Sequence, residues 1–477
     1  MEMPKDIGPF HIVGIGGIGM SAIAEILLDL GYPVQGSDAK ESPNVRRLRD
    51  RGIRIFIGHD AVNLVGARYV VISSAIKKDN VELMTARQRG IPVVRRADML
   101  AELMRMRATV SITGTHGKTT TTSLIAHIFE AAKLDPTVIT GGIVNAWGTN
   151  ARLGHGRWIV VEADESDDTF IRLPTEIGVV TNIDPEHLDY FGSVEAMHAS
   201  YRTFYTSIPF YGAAVTCIDH PVVRHMVGEI RDQCSAKLVT YGVSEDADLR
   251  LRNLRYENGD LGFDIEVGRR MAGGVRAVLG LRMPVPGEHN ALNAIAAFAV
   301  ALEAGIPDDI AKRAIAGFSG VKRRFTPTGS WNGIAVYDDY AHHPVEIAAV
   351  LKAARKIGSG RIVAVFQPHR FSRVQSLFEE FSGCFADADA VIVTPLYTAG
   401  EQPIPGITHM SMAEGIRGTG HKQVVVIDSE HELAPLVATL ARPGDLVVCL
   451  GAGTITDWAH ALPQRLNGAR QPVEGVA

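Results

Sequence analysis

Short apolar runs, each closed by glycine or a polar pair and followed by a helix-like stretch, recur along most of this 477-residue chain. FHIVGI leads through glycines into MSAIAEILLDLG, whose apolar positions return with helical spacing. PVQGSD, IRIFIG, YVVISS and IPVVR are further short strands separated by helical patterns, so residues 1–106 are expected to form one parallel sheet. A second block, 107–320, opens with the strand ATVSIT, a Gly/Thr loop and a helix through TSLIAHIFEAA, then the strands RWIVVEAD and IGVVTNI. Between 248 and 283 the pattern changes to alternation, which predicts an antiparallel meander turning at Asn258-Gly259. The apolar helix HNALNAIAAFAVALEAG then stops at Gly305. A third block, 321–477, alternates again through IAVYDDY, RIVAVFQP, AVIVTP, QVVVID and LVVCLGAG, with a tail, NGARQPVEGVA, expected to fray. The expectation is an α/β chain of three domains.

Composition narrows the class. A net charge of −5 argues against a nucleic-acid partner, because phosphate backbones attract basic surfaces. Cys217, Cys234, Cys384 and Cys449 lie far apart without metal or redox spacing and read as buried thiols of a reducing compartment. The start lacks the basic and apolar regions of a secretory leader, and no apolar run reaches membrane-span length. A cytoplasmic protein with no membrane partner is expected.

Two glycine loops carry candidate chemistry. Gly14, Gly16 and Gly19, with Gly17 between them, follow the first strand in G-x-G-x-x-G spacing, and Ser37 and Asp38 end the second strand where a ribose-binding acid is expected. This predicts a nucleotide-diphosphate site; NAD and a UDP-sugar both satisfy the loop. In GTHGKTT the phosphate-loop pattern is shortened, since its first glycine is Gly114 and residue 112 is Ile. It still lies between strand and helix, so backbone amides can hold oligophosphate, Lys118 can neutralise β/γ oxygens and Thr119 has the Mg²⁺ position. Period-two alternation puts Glu162 and Asp164 of WIVVEADESDD on one face, and VVTNIDPEHLDYF ends near Asp184, Glu186, His187 and Asp189. Three strand ends thus bring Thr119, Glu162 and His187 to one sheet edge, with oxygen and imidazole donors suited to Mg²⁺ or Mn²⁺. In the third block, Asp338, Asp339, Tyr340, His342 and His343 follow one strand. His369, Arg370 and Arg373 follow the next, the two arginines at i, i+3 on the expected helix. Together they suggest an anion clamp.

GTHGKTT, EADESD, TNIDPEHLDYFG, GEHNALNA, KRRF, DDYAHHP and FQPHRFSR, in this order over nearly the whole chain, resemble the motifs of the Mur ligase family of peptidoglycan synthesis. In that family the short phosphate loop is the normal form. GIGGIGMS and PHRFSR resemble its alanine-adding member in particular. The resemblance implies a Rossmann-like UDP-substrate domain (1–106), a central P-loop ATPase domain with added antiparallel strands (107–320) and a Rossmann-like ligase domain (321–477). It implies ATP with Mg²⁺ or Mn²⁺, and UDP-N-acetylmuramate and L-alanine as small-molecule substrates of a monomer or weak homodimer. Residue by residue, it gives Lys118, Glu162 and His187 catalytic roles and Thr119, Glu162 and His187 the metal. ATP falls to Gly114, Thr115, His116, Gly117, Lys118, Thr119, Thr120, Asn290, Asn293, Arg324 and Asp339. Gly14, Gly16, Gly17, Gly19, Ser37 and Asp38 take the UDP substrate, and Tyr340, His369, Arg370 and Arg373 position the carboxylates. No lysine lies between Lys133 and Lys237, so the carbamylated lysine of later family members has no counterpart there and a second metal's ligands stay open. Three alternatives remain: a tripeptide-adding recycling ligase of the same family, a nicotinamide-dependent oxidoreductase read from the first glycine loop alone, and a non-catalytic nucleotide switch.

Overall fold

The computed structural model describes residues 7–468, apart from 74, 106, 167, 258, 259 and 272. The expected turn at Asn258-Gly259 and the tail from 469 onward therefore lie outside the described residues. Two compact units form. Among the described residues, one takes those up to Leu254 together with Phe263–Arg282 and Ala291–Ser319; the other takes those of Arg255–Gly262, Met283–Asn290 and from Gly320 on.

The first unit begins with β1 (Phe10–Val13), α1 (Ile18–Asp29), β2 (Val34–Asp38), α2 (Pro43–Asp50), β3 (Arg54–Ile57), β4 (Tyr69–Ile72), α3 (Val81–Gln88), β5 (Val93–Arg95) and α4 (Arg96–Met104). The strands pair in the order β3-β2-β1-β4-β5, all parallel, as the strand–helix alternation requires. Strand β1 is buried throughout and α1 packs Met20–Leu27 inward, so the glycine loop between them sits at the sheet's centre.

A second sheet follows. Its elements are β6 (Ala108–Thr113), α5 (Lys118–Ala131), β7 (Thr137–Val144), β8 (Thr149–Arg152), β9 (Trp158–Glu162), β10 (Ile177–Val180), α6 (Leu188–Phe191), α7 (Val194–Ser207), β11 (Ala213–Cys217), α8 (Pro221–Ile230), β12 (Lys237–Gly242), β13 (Leu249–Glu257), β14 (Asp260–Val267), β15 (Arg276–Met283), α9 (Glu288–Glu303) and α10 (Asp308–Ala316). The order is β15-β14-β13-β12-β11-β10-β6-β9-β7-β8, with β10, β6 and β9 parallel neighbours at its heart. The alternating 248–283 segment supplies β13–β15 at one edge. At the other edge β7 and β8 form an antiparallel pair that the periodicity did not disclose.

The second unit holds β16 (Thr326–Trp331), β17 (Ile334–Asp339), α11 (Pro344–Ile357), β18 (Ile362–Phe366), α12 (Phe371–Ser376), α13 (Phe378–Gly383), β19 (Ala390–Val393), α14 (His409–Gly418), β20 (Val424–Val426), α15 (Glu430–Leu440), β21 (Leu446–Leu450) and α16 (Ile455–Gly468). Its sheet runs β16-β17-β21-β18-β19-β20, parallel except for β16. The four cysteines are free thiols, three of them buried. Among the described residues no helix is long and apolar enough to cross a membrane.

Strand β18 is fully buried, and Phe366 at its end packs on Phe381 and Phe385, with ring centroids 5.6 and 5.2 Å away. Phe366→Ala empties that three-ring contact and is expected to lower unfolding free energy by about 3–5 kcal/mol, measured by urea denaturation.

Candidate active site

The phosphate loop is built from β6, α5 and the extension of β10. Gly114 has φ +122, and a Cβ there would overlap the Thr181 hydroxyl and meet the Asn182 carbonyl at 2.9 Å. Gly117, at φ +82, caps α5 and leaves room for Asn293 Oδ1, which a Cβ would meet at 2.6 Å. The shortened spacing therefore belongs to a loop pressed against residues 181–184. His116 N donates to Asn182 Oδ1 (2.8 Å), and Thr181 Oγ1 donates to the His116 carbonyl (2.6 Å). Thr115 Oγ1 accepts from Asp184 N at 2.9 Å. Thr120 is buried, and Thr121 Oγ1 donates to Asn293 Oδ1 at 3.2 Å.

Lys118 points back beneath its own loop. Its ammonium donates to the Gly114 carbonyl (2.6 Å), the Thr115 carbonyl (3.0 Å) and Glu165 Oε1 (2.8 Å). Burial alone would favour the neutral amine, but the carboxylates of Glu165, Glu162 and Glu186 more than offset it and raise the lysine above its ordinary value. Glu165 is itself pushed above the usual carboxylate range by burial, against the pull of Lys118. Thr119 Oγ1 donates to Glu162 Oε1 at 2.9 Å, while Glu162 Oε2 accepts from Thr140 Oγ1 and Gly141 N. His187, in the left-handed region at φ +55, lies 3.9 Å from Glu165 and 4.0 Å from Glu186. One donor atom from each of Glu165, Glu186 and His187 falls within 4.8 Å of the others.

Thr119 and Glu162 thus meet directly, whereas His187 is grouped with Glu165 and Glu186; Lys118 feels all three carboxylates. Glu165 is the residue that sequence reasoning passed over, although it stands inside EADESD. Strand β9 ends at Glu162, so the alternation argument pairing Glu162 with Asp164 reaches past the element. Asp164 instead reaches Arg96 of α4 at 3.2 Å, and Arg96 lies against Gly19 of the first glycine loop. Asp184 is held well below the usual carboxylate range: burial opposes its charge, but His116 and His220 more than compensate. The side chain of Asp189 lies outside the described residues.

At the first glycine loop, the Ser37 carbonyl accepts from Gly14 N (2.8 Å) and Ile15 N (3.0 Å), and Asp38 Oδ2 accepts from Gly16 N (2.8 Å). Gly17 caps α1. Ser37 is fully buried and donates through Oγ to Glu82 (2.5 Å).

In the second unit, Asp339 is buried and accepts from Phe325 N and Ala341 N, each at 2.7 Å; burial pushes it up to about 6 despite Arg324. The Tyr340 ring is faced by the guanidiniums of Arg323 at 4.7 Å and Arg324 at 5.4 Å. Asn290 Nδ2 donates to the Pro286 carbonyl at 2.6 Å. His343 caps α11. His369 stacks on Tyr397 and accepts at Nδ1 from Arg373 Nη1 (3.2 Å). The shared helix face expected for Arg370 and Arg373 is corrected. Arg370 has φ +67 and precedes α12, so the i, i+3 rule does not reach it. Its backbone N–H donates to the Tyr397 carbonyl at 2.9 Å.

A parallel-sheet phosphate loop with a lysine, a hydroxyl and facing acids, in the same chain as a second α/β unit that carries Arg323, Arg324, Arg370 and Arg373 near strand ends, fits a nucleotide-dependent ligase architecture. The chain matches the profiles described as Mur ligase family, catalytic domain (residues 9–108), Mur ligase middle domain (112–301) and Mur ligase, glutamate ligase domain (323–453). It belongs to the Mur ligase family. The UDP-N-acetylmuramate–L-alanine ligase of Bradyrhizobium sp. strain BTAi1 is 58% identical over 98% of this chain and 99% of its own, and the protein of that name from Rhodopseudomonas palustris strain TIE-1 is equally similar. Among solved structures, UDP-N-acetylmuramate-alanine ligase from Thermotoga maritima superposes with TM-score 0.81 at 28% identity, covering 97% of this chain and 99% of that one. A murein peptide ligase from Psychrobacter arcticus shares the fold, with TM-score 0.70, 23% identity and coverages of 98% and 99%.

His369 is lowered to about 3 by burial and by its neighbours His342, Arg373, Arg370 and Arg323. A histidine whose folded value lies below its unfolded one loses stability as pH falls through the interval between them. Unfolding curves should therefore show wild type losing ground to His369→Gln between about pH 6.5 and pH 4, and no such drift above pH 7.

Proposed function

We propose that this chain joins L-alanine to the lactyl carboxylate of UDP-N-acetylmuramate at the expense of ATP, in peptidoglycan synthesis. The observation that carries the reading is the Lys118 phosphate loop facing Glu162, Glu165 and His187, in a chain 58% identical end to end to ligases of that name. Neither alternative enzyme is favoured: the recycling-type murein ligase is more distant, and an oxidoreductase leaves the phosphate loop without a task. A non-catalytic switch would leave Tyr340, His369, Arg370 and Arg373 of the second unit without one.

A carboxylate does not react with an amine until its oxygen becomes a leaving group. A carboxylate oxygen attacks the γ-phosphorus, the bond to the β-phosphate oxygen breaks, and ADP departs from an acyl phosphate. The alanine nitrogen then attacks the acyl carbon, loses a proton, and inorganic phosphate leaves. Lys118 and the Gly114–Thr120 amides offset charge on the transferring group. Thr119, Glu162 and His187, together with Glu165 and Glu186, are the residues that would hold Mg²⁺ or Mn²⁺, whose charge neutralises phosphate oxygens. Glu165 Oε2, buried and without a hydrogen-bond partner, fits such a donor set. Asn290, Asn293, Arg324 and Asp339 are assigned to the ATP side, Tyr340, His369, Arg370 and Arg373 to the two carboxylates, and the Gly14–Gly19 loop with Asp38 to the UDP group. On this reading 1–106, 107–320 and 321–477 are the UDP-substrate, ATP and ligase domains of a cytoplasmic monomer or weak dimer.

Lys118→Ala is expected to cost transition-state stabilisation on the order of 3 kcal/mol, read as kcat/KM in an ADP-release assay with UDP-N-acetylmuramate and L-alanine. With labelled lactyl carboxyl oxygen, label should appear in the released phosphate; phosphate free of label would rule out the acyl phosphate.

A further inference from the structure

Three strand-end loops of the second unit meet at a side chain that sequence reasoning passed over. Tyr397 lies in the loop after β19. Its backbone N–H donates to the Pro368 carbonyl (2.8 Å) and its carbonyl accepts from Arg370 N (2.9 Å), so one parallel bridge joins it to His369 in the loop after β18. Its ring lies on the His369 imidazole, with centroids 5.5 Å apart and planes 16° from parallel. Further along the same loop, Glu401 accepts from Ser372 N (3.0 Å) and from Ser372 Oγ (2.6 Å). The loop after β19 thus grips the segment that carries His369 and Arg370 on both sides.

The third loop supports the ring. Gly453 follows β21, and a Cβ there would stand 2.5 Å from Cγ of Tyr397 and 2.5 Å from Gln367 Oε1. Only a residue without a side chain lets the ring lie so close. That loop is itself pinned from two sides. Arg323 Nη2 donates to the Gly451 (2.8 Å) and Gly453 (3.3 Å) carbonyls. Gln367 Nε2 donates to Thr454 Oγ1 (3.0 Å), and Gln367 Oε1 accepts from Ile455 N (3.1 Å).

What this frame holds is a strained residue. Arg370 has φ +67 and ψ 132, a combination that residues with a Cβ seldom adopt. Such a backbone persists only where its surroundings over-determine it. Here the Tyr397 carbonyl takes the Arg370 N–H, and Glu401 fixes Ser372 just beyond. The result keeps Arg370 out of α12, exposed, and beside His369 in the chain. Resting on the assignment of His369 and Arg370 to a substrate carboxylate, we infer that Tyr397 is a positioning residue for the amino-acid substrate. It aims His369 through the ring stack and holds Arg370 outside the helix through its backbone, and Gly453 is the gap that admits the ring. Tyr397 acts through these two residues and not on the substrate. The effect falls on L-alanine, whose carboxylate is its main handle, whereas UDP-N-acetylmuramate keeps its diphosphate as a second anchor.

Steady-state ADP release by the full chain tests this, with each of the three substrates varied in turn. Tyr397→Ala should raise KM for L-alanine by about tenfold, the worth of one misdirected charged hydrogen bond, with KM for ATP and for UDP-N-acetylmuramate within about twofold of wild type. Tyr397→Phe keeps the stack and should match wild type. Tyr397→Leu fills the space without a ring, and its KM for L-alanine should stay as high as that of Tyr397→Ala. Gly453→Ala pushes on the ring from below and should raise the same KM by a similar factor. Combined with Tyr397→Ala, it should give less than the product of the two effects, because both act through one ring. An L-alanine KM unmoved in Tyr397→Ala, a Tyr397→Leu as good as Tyr397→Phe, or all three KM values rising together overturns the inference while leaving the ligase reading intact. Should Tyr397→Ala fail to fold, Tyr397→Leu and Gly453→Ala carry the test. If wild type releases no ADP in response to UDP-N-acetylmuramate and L-alanine, the ligase reading itself fails and this inference falls with it.

Discussion

The salt bridge between Lys118 and Glu165 is the constraint around which the catalytic edge of the first unit is arranged. A buried ammonium and a buried carboxylate each lose hydration, and neither would stay charged there alone. Lys118 tolerates burial because two loop carbonyls and Glu165 take up its three N–H groups. In turn, the lysine is the cation that lets Glu162, Glu165 and Glu186 share one strand edge. Three carboxylates against one ammonium leave an excess of negative charge, which is the electrostatic condition for holding a divalent cation. Lys118 Nζ also ties together the Gly114 and Thr115 carbonyls and so braces the curve of the loop from within.

The same edge is joined to the first glycine loop by side chains that cross between the two sheets of the first unit. Arg47 of α2 donates to Glu25 of α1 at 2.8 Å and to Asn150 of β8 at 3.2 Å, and Asn150 Nδ2 donates to the Ile18 carbonyl at 2.7 Å. Asn44 donates to the Gly16 carbonyl at 2.9 Å. Arg96 spans from Gly19 to Asp164, two residues beyond Glu162. The loop assigned to the UDP group is therefore held in fixed register with the phosphate loop by buried and half-buried polar contacts. For a reaction in which a carboxylate must meet a phosphorus atom in line, such registry supplies the positioning from which most of the acceleration derives.

Strand–helix alternation and glycine spacing were enough to place β1, β6, β9, β10, β17 and β18 and the residues at their ends, because buried parallel strands are continuous apolar runs that end where polar chemistry begins. What escaped has local physical reasons. Strand β16 reads TPTGSW, with a proline and a glycine that normally exclude a strand; it survives as an edge strand with a bulge between Pro327 and Gly329. Asp164 and Arg370 were placed by extending a periodicity past the end of its element, where φ and ψ no longer repeat. Glu165 escaped for the same reason in reverse: only the turn after β9 brings it under Lys118, and a turn has no period to read. Arg96 and Asp164 are 68 residues apart, and no spacing rule connects them.

On the proposed reading, one set of charges in the second unit serves two steps of the chemistry. Arg323 and Arg324 face the Tyr340 ring and Arg373 bonds to His369, while Asp338 lies 3.8 Å from Arg323 and Glu346 3.8 Å from Arg324. Guanidiniums stay charged at any physiological pH and bind a carboxylate without a proton of their own to lose. Positive charge nearby disfavours any further positive charge; the downward shift of His369 comes first from burial and only then from its cationic neighbours. An amino acid held there by its carboxylate feels the same positive charge at its ammonium, which is thereby biased toward the neutral amine. Only the neutral amine has the lone pair needed to attack an acyl phosphate. On the proposed reading, the arginines assigned to the carboxylates would thus also favour the nucleophilic amine, with no dedicated base required to sit beside the nitrogen at the start.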